Sequence, residues 1–506
     1  MAIAPILILL VVNLGQTKPS VALRSVVISF AVATLLWGGL GILLKDWQRA
    51  AILTTLLLAL FYTYGHVYEV IRQVSISGIT LGRHRYLGPT WFVLLLIGAW
   101  LIMTRLKDTT RATQALNFSA GVVIAIPLAQ LAVFESQLPF SNTNAEAAAS
   151  QIRLSWEGSE APPDIYYILL DAYTGEDALS KTYGFDNRPF LGELSKLGFY
   201  IPSCTQSNYA QTEHTLASTL NLSYLDQIGD GFVADSDDRS GMWPLIRHSA
   251  VRLVLEELGY STVAFDTGFR WSELDDADYY FEAATGPVRG LSAFEATLLR
   301  TTAAWILVDQ LERLPPFLDS GRSAEEHYRR ISNVLDQLRE APALAGPNFI
   351  FAHVVSPHLP FVFGPGGEYF PNDPPEDERN MDWYIKGYVD QVGVLNAKVL
   401  TALESIIDQS DPSPVIVLVG DHGPEMGSDS DRMSILYAVL LPGAGENISD
   451  QLNSPVNSFR VIFNSLFGTT FPILDHASLF SIYAAPYNYT LITNDCLADT
   501  TANHHP

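Results

Sequence analysis

Four apolar runs in the first 134 residues restrict what this chain can fold into more than any other feature. Ser25–Leu44 carries no charge and is long enough to cross a bilayer, which takes about 20 apolar residues in a helix. Ala50–Val67, Leu87–Met103 and Phe118–Phe134 are three further candidates, each slightly short or interrupted. Ile3–Asn13 is apolar but too short to span alone, and no small-residue cleavage site follows it as in a signal peptide. The competing reading is a set of buried core helices, which four such runs in so short a stretch argue against. A membrane part of four to five helices over residues 1–134 is expected.

The charges divide at the same place. Through Phe134 there are ten Lys/Arg against three Asp/Glu, and the remainder has twenty against fifty-one. So acidic a body excludes nucleic-acid binding, which requires a cationic footprint. The tight loops Lys45–Arg49 and Arg105–Arg111 are basic and fall on one side if the spans alternate. Taking that side as cytoplasmic places everything after Phe134 outside the cell membrane. The loop His66–Tyr86, with Arg72, Arg83 and Arg85, runs against that bias. Cys204 and Cys496 are too few for a zinc ribbon or a disulfide framework; one bridge and two buried thiols both remain open.

Residues 135–162 are rich in Ser, Ala, Asn, Glu and Pro without periodicity and read as a linker. Beyond it, uninterrupted apolar runs read as strands covered on both faces. Asp164–Asp171 and Pro414–Gly420 are the clearest, with Ser261–Phe265, Phe349–Val355 and Ile435–Leu441 besides. Helical stretches fall between them at Asn187–Leu197, Val251–Leu258, Leu291–Leu314, Ala324–Leu338 and Trp383–Ile407. This alternation predicts an α/β sandwich, a mostly parallel sheet with helices on both faces. It occupies residues 163–490, with a C-terminal tail at 491–506.

In such sheets the chemistry lies beyond the carboxyl ends of the strands. Four segments deliver polar groups there: Asp171, the loop that turns into a helix at Thr212, His353 with His358, and Asp421-His422. Two aspartates and a histidine suit a divalent ion with a mixed O/N shell. A hydroxyl held on that ion becomes a nucleophile near neutral pH. Thr212 opens a helix, whose first N–H groups and dipole favour an anion, although a plain N-cap is the commoner role for a threonine there.

An Asp-ending strand, a Thr opening a helix, Ser356-Pro-His-Leu-Pro-Phe361 and Gly420-Asp-His-Gly423 in this order resemble the alkaline phosphatase/sulfatase superfamily. Within it the chain is most similar to lipoteichoic acid synthase-like phosphoglycerol transferases and phosphoethanolamine transferases. The resemblance covers roughly Pro163–Leu474. It implies that Asp171, Thr212, Asp421 and His422 form the metal site for one divalent ion (Mn, Mg or Zn). It implies that Thr212 attacks phosphorus and carries a covalent intermediate, and that His358 contacts the transferred phosphate or a second metal.

Three features depart from the family pattern. The transferases usually have Glu where this chain has Asp171. The second-zinc histidine about a dozen residues after Asp-His-Gly is missing from Gly427–Ser434, which favours one metal. Cys204 lacks the Pro and Arg of a sulfatase nucleophile, and Asp171 is followed by Ala172 rather than a second acid.

Further substrate-binding candidates are Asn208, Arg270, Trp271 and His353, the last nearer a strand interior where a core histidine is commoner. Glu213 and His214 flank Thr212 and are candidates to assist proton transfer, and Arg460 reads as a structural tie. The expected activity is transfer of phosphoglycerol or a similar head group from a membrane lipid to an unidentified acceptor. The alternatives are a hydrolase of sulfate esters or phosphodiesters, and a non-catalytic membrane scaffold.

Overall fold

The computed structural model describes residues 1–72, 74–76, 79–80, 83–137, 143–229, 231–283, 291–306, 321–370, 380–444, 448, 451–452 and 454–494. It divides into two compact units, one of Met1–Leu138 with Pro287–Ser323, the other of Pro139–Gly286 with Ala324–Pro506.

The first unit holds α1 (Ala4–Val12), α2 (Leu23–Leu44), α3 (Trp47–Ile71), α4 (His84–Thr104) and α5 (Thr109–Gln137). Two short strands, β1 (Ser75–Ile76) and β2 (Ile79–Thr80), pair antiparallel. Four helices, at Pro19–Leu44, Trp47–Ile71, His84–Thr104 and Thr109–Ser136, are long and apolar enough to cross a membrane. Each contains one of the four apolar runs. Val27, Phe30, Leu35, Phe92, Leu96 and Phe118 are among many large apolar side chains left exposed on them, as lipid-facing surfaces require.

Residues 291–306 were read as part of the catalytic body, yet their described contacts place them with these helices. Phe294 and Leu298 join the cluster of Ile6, Leu10, Leu14 and Ala22. Arg24 pairs with Glu295, which also closes a capping box with Ser292. Thr301 O accepts from Gly65 N at 3.0 Å, and Ala303 N donates to Phe61 O at 2.8 Å. Phe61 and Gly65 are i and i+4 of α3, whose groups ordinarily bond each other. Only glycine permits the approach, since a Cβ on Gly65 would lie 2.1 Å from Arg300 O. Residues 307–314, the rest of that expected helix, lie outside the described residues, as do the acidic loop 371–379 and the tail from 495. The expected linker contains a helix at Thr143–Ser150.

The second unit is built on a six-stranded sheet. Its strands are β3 (Ile165–Leu170), β4 (Ser261–Phe265), β5 (Tyr279–Phe281), β6 (Asn348–Val354), β7 (Val415–Gly420) and β8 (Tyr437–Leu440), in the order β5-β4-β6-β3-β7-β8. All pairs are parallel except β7 with β8. Every residue of β3, β6 and β7 is buried, because helices cover both faces. One face packs Tyr166, Ile168 and Leu170 with Val392, Leu395 and Ile406 of the helix Met381–Gln409. On the other, Tyr167 stacks on Phe351 and meets Phe459. The sheet and flanking helices form the expected α/β sandwich.

Register positions the chemistry. Leu170 stands opposite both Val354 and Gly420, so Asp171 and Asp421 leave adjacent strands at the same level. Gly420 is needed there, because a Cβ would lie 2.2 Å from Tyr173 O, and a Cβ on Gly423 would lie 2.0 Å from Asp431 O. Gly423→Ala is expected to cost about 2 kcal/mol or more, as overpacking against backbone does. Its thermal unfolding midpoint should fall below that of wild type, and an unchanged midpoint would show that this turn relaxes freely.

Candidate active site

Asp171, Asp421 and His422 converge, each offering one ligand atom, all within 4.8 Å of one another. They are 4%, 0% and 2% exposed, so their polar atoms answer to protein partners or to a ligand. Each residue is tied by one atom. Asp171 Oδ2 accepts from His353 Nε2 at 3.2 Å, and Asp421 Oδ1 from Ala172 N at 2.9 Å. His422 Nδ1 donates to Gly423 O at 2.8 Å. Asp171 Oδ1 and Asp421 Oδ2 remain, both buried and without a hydrogen-bond partner. His422 Nε2 lies 3.8 Å from the first and 3.3 Å from the second.

Donor atoms about 2.1 Å from one ion stand roughly 3 to 3.5 Å apart. Two orphaned carboxylate oxygens and an imidazole lone pair at this spacing therefore fit a divalent cation. Burial, then the Arg432 guanidinium, lowers the His422 pKa, which favours the neutral ring with a lone pair on Nε2. Burial by itself would raise the Asp171 pKa, but the positive charge of His358 and the hydrogen bond from His353 hold it well below the usual carboxylate range.

The turn after β3 is held from several sides. Ala172 has a φ of 66°, the left-handed region that a non-glycine residue occupies only under constraint. Its N–H holds Asp421, while its carbonyl accepts from Tyr388 OH at 2.7 Å. Thr174 N donates to the same hydroxyl at 3.1 Å.

Thr212 is the first residue of the helix Thr212–Thr219. From Thr205 through Leu222 it alone is not buried. Its Oγ1 lies 3.1 Å from His422 Nε2, on the donor side of the cluster. Ser207 Oγ and Thr215 Oγ1 both donate to Asp421 O, which binds this loop to the strand carrying the ligands. Glu213 turns away, its carboxylate taking Arg239 Nη1 and Trp243 Nε1, each at 2.9 Å. His214 is enclosed by Tyr209, Tyr487 and Tyr489, and burial pushes its pKa down to about 3. Neither is placed to move a proton at Thr212.

His358 N donates to Asp171 O at 3.0 Å. Its Nδ1 donates to Leu359 O at 2.7 Å and its Nε2 reaches Glu425 Oε1 at 3.2 Å. Burial would lower this imidazole, but Asp171 and Glu425 raise it to about 9. Glu425 was missed in the sequence, although a carboxylate three residues after His422 is a readable signal.

Of the four substrate-binding candidates, His353 lies behind Asp171, with Nδ1 3.1 Å from Ser272 Oγ and Trp271 packed on its ring. Trp271 is itself buried. These two positions are those of supports for a ligand. Asn208 is fully engaged within the fold: Nδ2 reaches Tyr224 OH, Ser454 Oγ and Ala477 O, and Oδ1 accepts from Val456 N. It is a loop tie rather than an oxyanion donor. Arg270 is half-buried beside Trp271. Arg460 donates to Leu222 O and Pro472 O, a structural tie as expected. Cys204 is disulfide-bonded, and Cys496 lies outside the described residues.

No family model matches the chain, and no curated protein does. Solved structures do match. The zinc complex of the C-terminal periplasmic domain of EptC from Escherichia coli aligns at 12% identity and a TM-score of 0.43, over 68% of this chain and 95% of that one. Lipoteichoic acid synthase LtaP from Listeria monocytogenes aligns at 13% and 0.39, over 72% and 99%. BT1596, a 2-O GAG sulfatase, aligns at 12% and 0.38, over 62% and 72%.

The tie behind Asp171 gives a direct test. His353→Ala removes the hydrogen bond that orients the carboxylate, and losing such an outer support typically lowers metal affinity about 10- to 100-fold. Calorimetric titration of Mn²⁺ or Zn²⁺ into metal-stripped protein should show that loss. Wild-type affinity would mean that Asp171 is held by its backbone alone.

Proposed function

We propose that this chain is a membrane-anchored, metal-dependent phosphoryl transferase that moves phosphoglycerol or a similar head group from a lipid through a covalent intermediate on Thr212. The observation that carries the reading is the placement of Thr212. It is the one accessible residue in a buried stretch, at a helix start, with its hydroxyl 3.1 Å from His422 Nε2.

Asp171, Asp421, His422 and the Thr212 hydroxyl would hold one divalent ion, Mn, Mg or Zn. When bound, it supplies a Lewis acid that lowers the hydroxyl pKa and offsets phosphoryl charge. In the first step Thr212 Oγ1 attacks phosphorus of a glycerophospholipid. The bond from phosphorus to the diacylglycerol oxygen breaks, and the proton given up by the Thr212 hydroxyl ends on that oxygen as diacylglycerol leaves. The N–H groups opening the helix Thr212–Thr219 face the phosphoryl oxygens, and His358 presents its ring from the neighbouring loop. In the second step an acceptor hydroxyl attacks phosphorus, loses its proton and restores Thr212. Ping-pong kinetics follow from the intermediate.

A lipid donor agrees with the chain's organisation. Four helices can cross a membrane, and the placement of Lys and Arg between them favours a multi-pass protein of the cell membrane with the catalytic unit outside.

Incubating the full-length protein in vesicles of phosphatidylglycerol or phosphatidylethanolamine should leave a phospho-head-group adduct on the peptide carrying Thr212, seen by mass spectrometry. Thr212→Ala should lose the adduct and lower turnover by about a thousandfold or more, as removal of a nucleophile does. Unchanged turnover in that variant would overturn the nucleophile. Head group recovered only as free product, never on an added polyol acceptor, would turn the reading to a hydrolase.

A further inference from the structure

Arg432 enters the same site from the end of the short helix Asp429–Met433, whose start is closed by a capping box between Ser428 and Asp431. Its guanidinium donates in three directions: Nε to Ala210 O at 3.0 Å, Nη1 to Gly423 O at 3.0 Å, and Nη2 to His422 Nε2 at 3.2 Å. The first two partners are main-chain carbonyls, one two residues before Thr212 and the other just after His422. They anchor the fork between the nucleophile loop and the ligand turn.

The third bond conflicts with metal binding. His422 Nδ1 already donates to Gly423 O, so the ring has one lone pair, on Nε2. A cation held by Asp171, Asp421 and His422 requires that lone pair, and it cannot serve an N–H donor and an ion together. The fixed positive charge of the half-buried fork, in contact with the buried His422, also opposes entry of a dication.

We propose that Arg432 is an internal cation that competes with the divalent ion for His422 Nε2, and that its displaced N–H then binds the phosphoryl oxygens carried on Thr212. The two carbonyl bonds involve no ligand atom. They keep the guanidinium beside Thr212 after the third bond is released, and a planar fork suits phosphoryl oxygens. The inference rests on the reading of Asp171, Asp421 and His422 as metal ligands and of Thr212 as nucleophile.

The test is calorimetric and uses the full-length, metal-stripped protein in detergent. Mn²⁺ is titrated into wild type, Arg432→Gln, Arg432→Lys and Asp421→Asn, and inorganic phosphate is then titrated into the Mn²⁺-loaded forms. Arg432→Gln should bind Mn²⁺ about tenfold more tightly than wild type, the equivalent of about 1.4 kcal/mol, and phosphate about tenfold more weakly. Arg432→Lys, which keeps the charge without the fork, should fall between them. If both Arg432 variants bind Mn²⁺ no more tightly than wild type, the residue is only a tie for the Ala210 and Gly423 carbonyls and the proposal is overturned. Undiminished Mn²⁺ binding in Asp421→Asn would instead overturn the metal site on which the proposal rests.

Discussion

Two aspartates buried side by side at the ends of neighbouring parallel strands are the constraint on which the rest of this site depends. Carboxylates out of water and near each other are costly unless hydrogen-bonded and compensated by positive charge. Here one oxygen of each is tied, Asp171 by His353 and Asp421 by the N–H of Ala172, while the other has no partner. Protein interiors rarely leave such atoms unsatisfied. That arrangement fits a cation, and the surroundings follow from keeping the two carboxylates in place. Gly420 and Gly423 exist because backbone carbonyls press where a Cβ would stand. Ala172 keeps a left-handed conformation because Asp421 and Tyr388 grip its two backbone groups.

The loop leading to Thr212 is built onto the same point. Ser207 and Thr215 both bond the carbonyl of Asp421, so the residue with an unpartnered carboxylate oxygen also carries the loop that presents Thr212. Glu213, one residue on, is fastened outward to Arg239 and Trp243. The helix start is therefore rigid and only Thr212 opens outward. Chain connectivity adds a second theme. The described residues 291–306 pack with the N-terminal helices although they lie between β5 and β6 in the chain.

Much of this was legible in the chain. Buried parallel strands are continuous apolar runs, and β3, β4, β6 and β7 were found within a residue or two of their limits. The apolar spans were read from length alone. Less visible were elements whose stability comes from neighbours. β5 is only Tyr279–Phe281 and depends on pairing with β4. Residues 291–306 look like any amphipathic helix, and nothing local says that Phe294 packs with Ile6 and Leu10.

The sequence by itself determined the chemical kinds present and their order: an acid at the end of one buried strand, Asp-His at the end of another, a threonine opening a helix. Alternation and apolar continuity are local properties, so they survive without coordinates. Only the tertiary structure decided which polar groups are already engaged. Asn208 and Glu213 read as available and are saturated within the fold, while His353 stands behind Asp171. Glu425 and Arg432 drew no notice, yet they reach His358 and His422. Hydrogen-bond partners here are separated by tens to hundreds of residues. Whether a donor is free or committed is therefore set by packing, and no pattern along the chain records it.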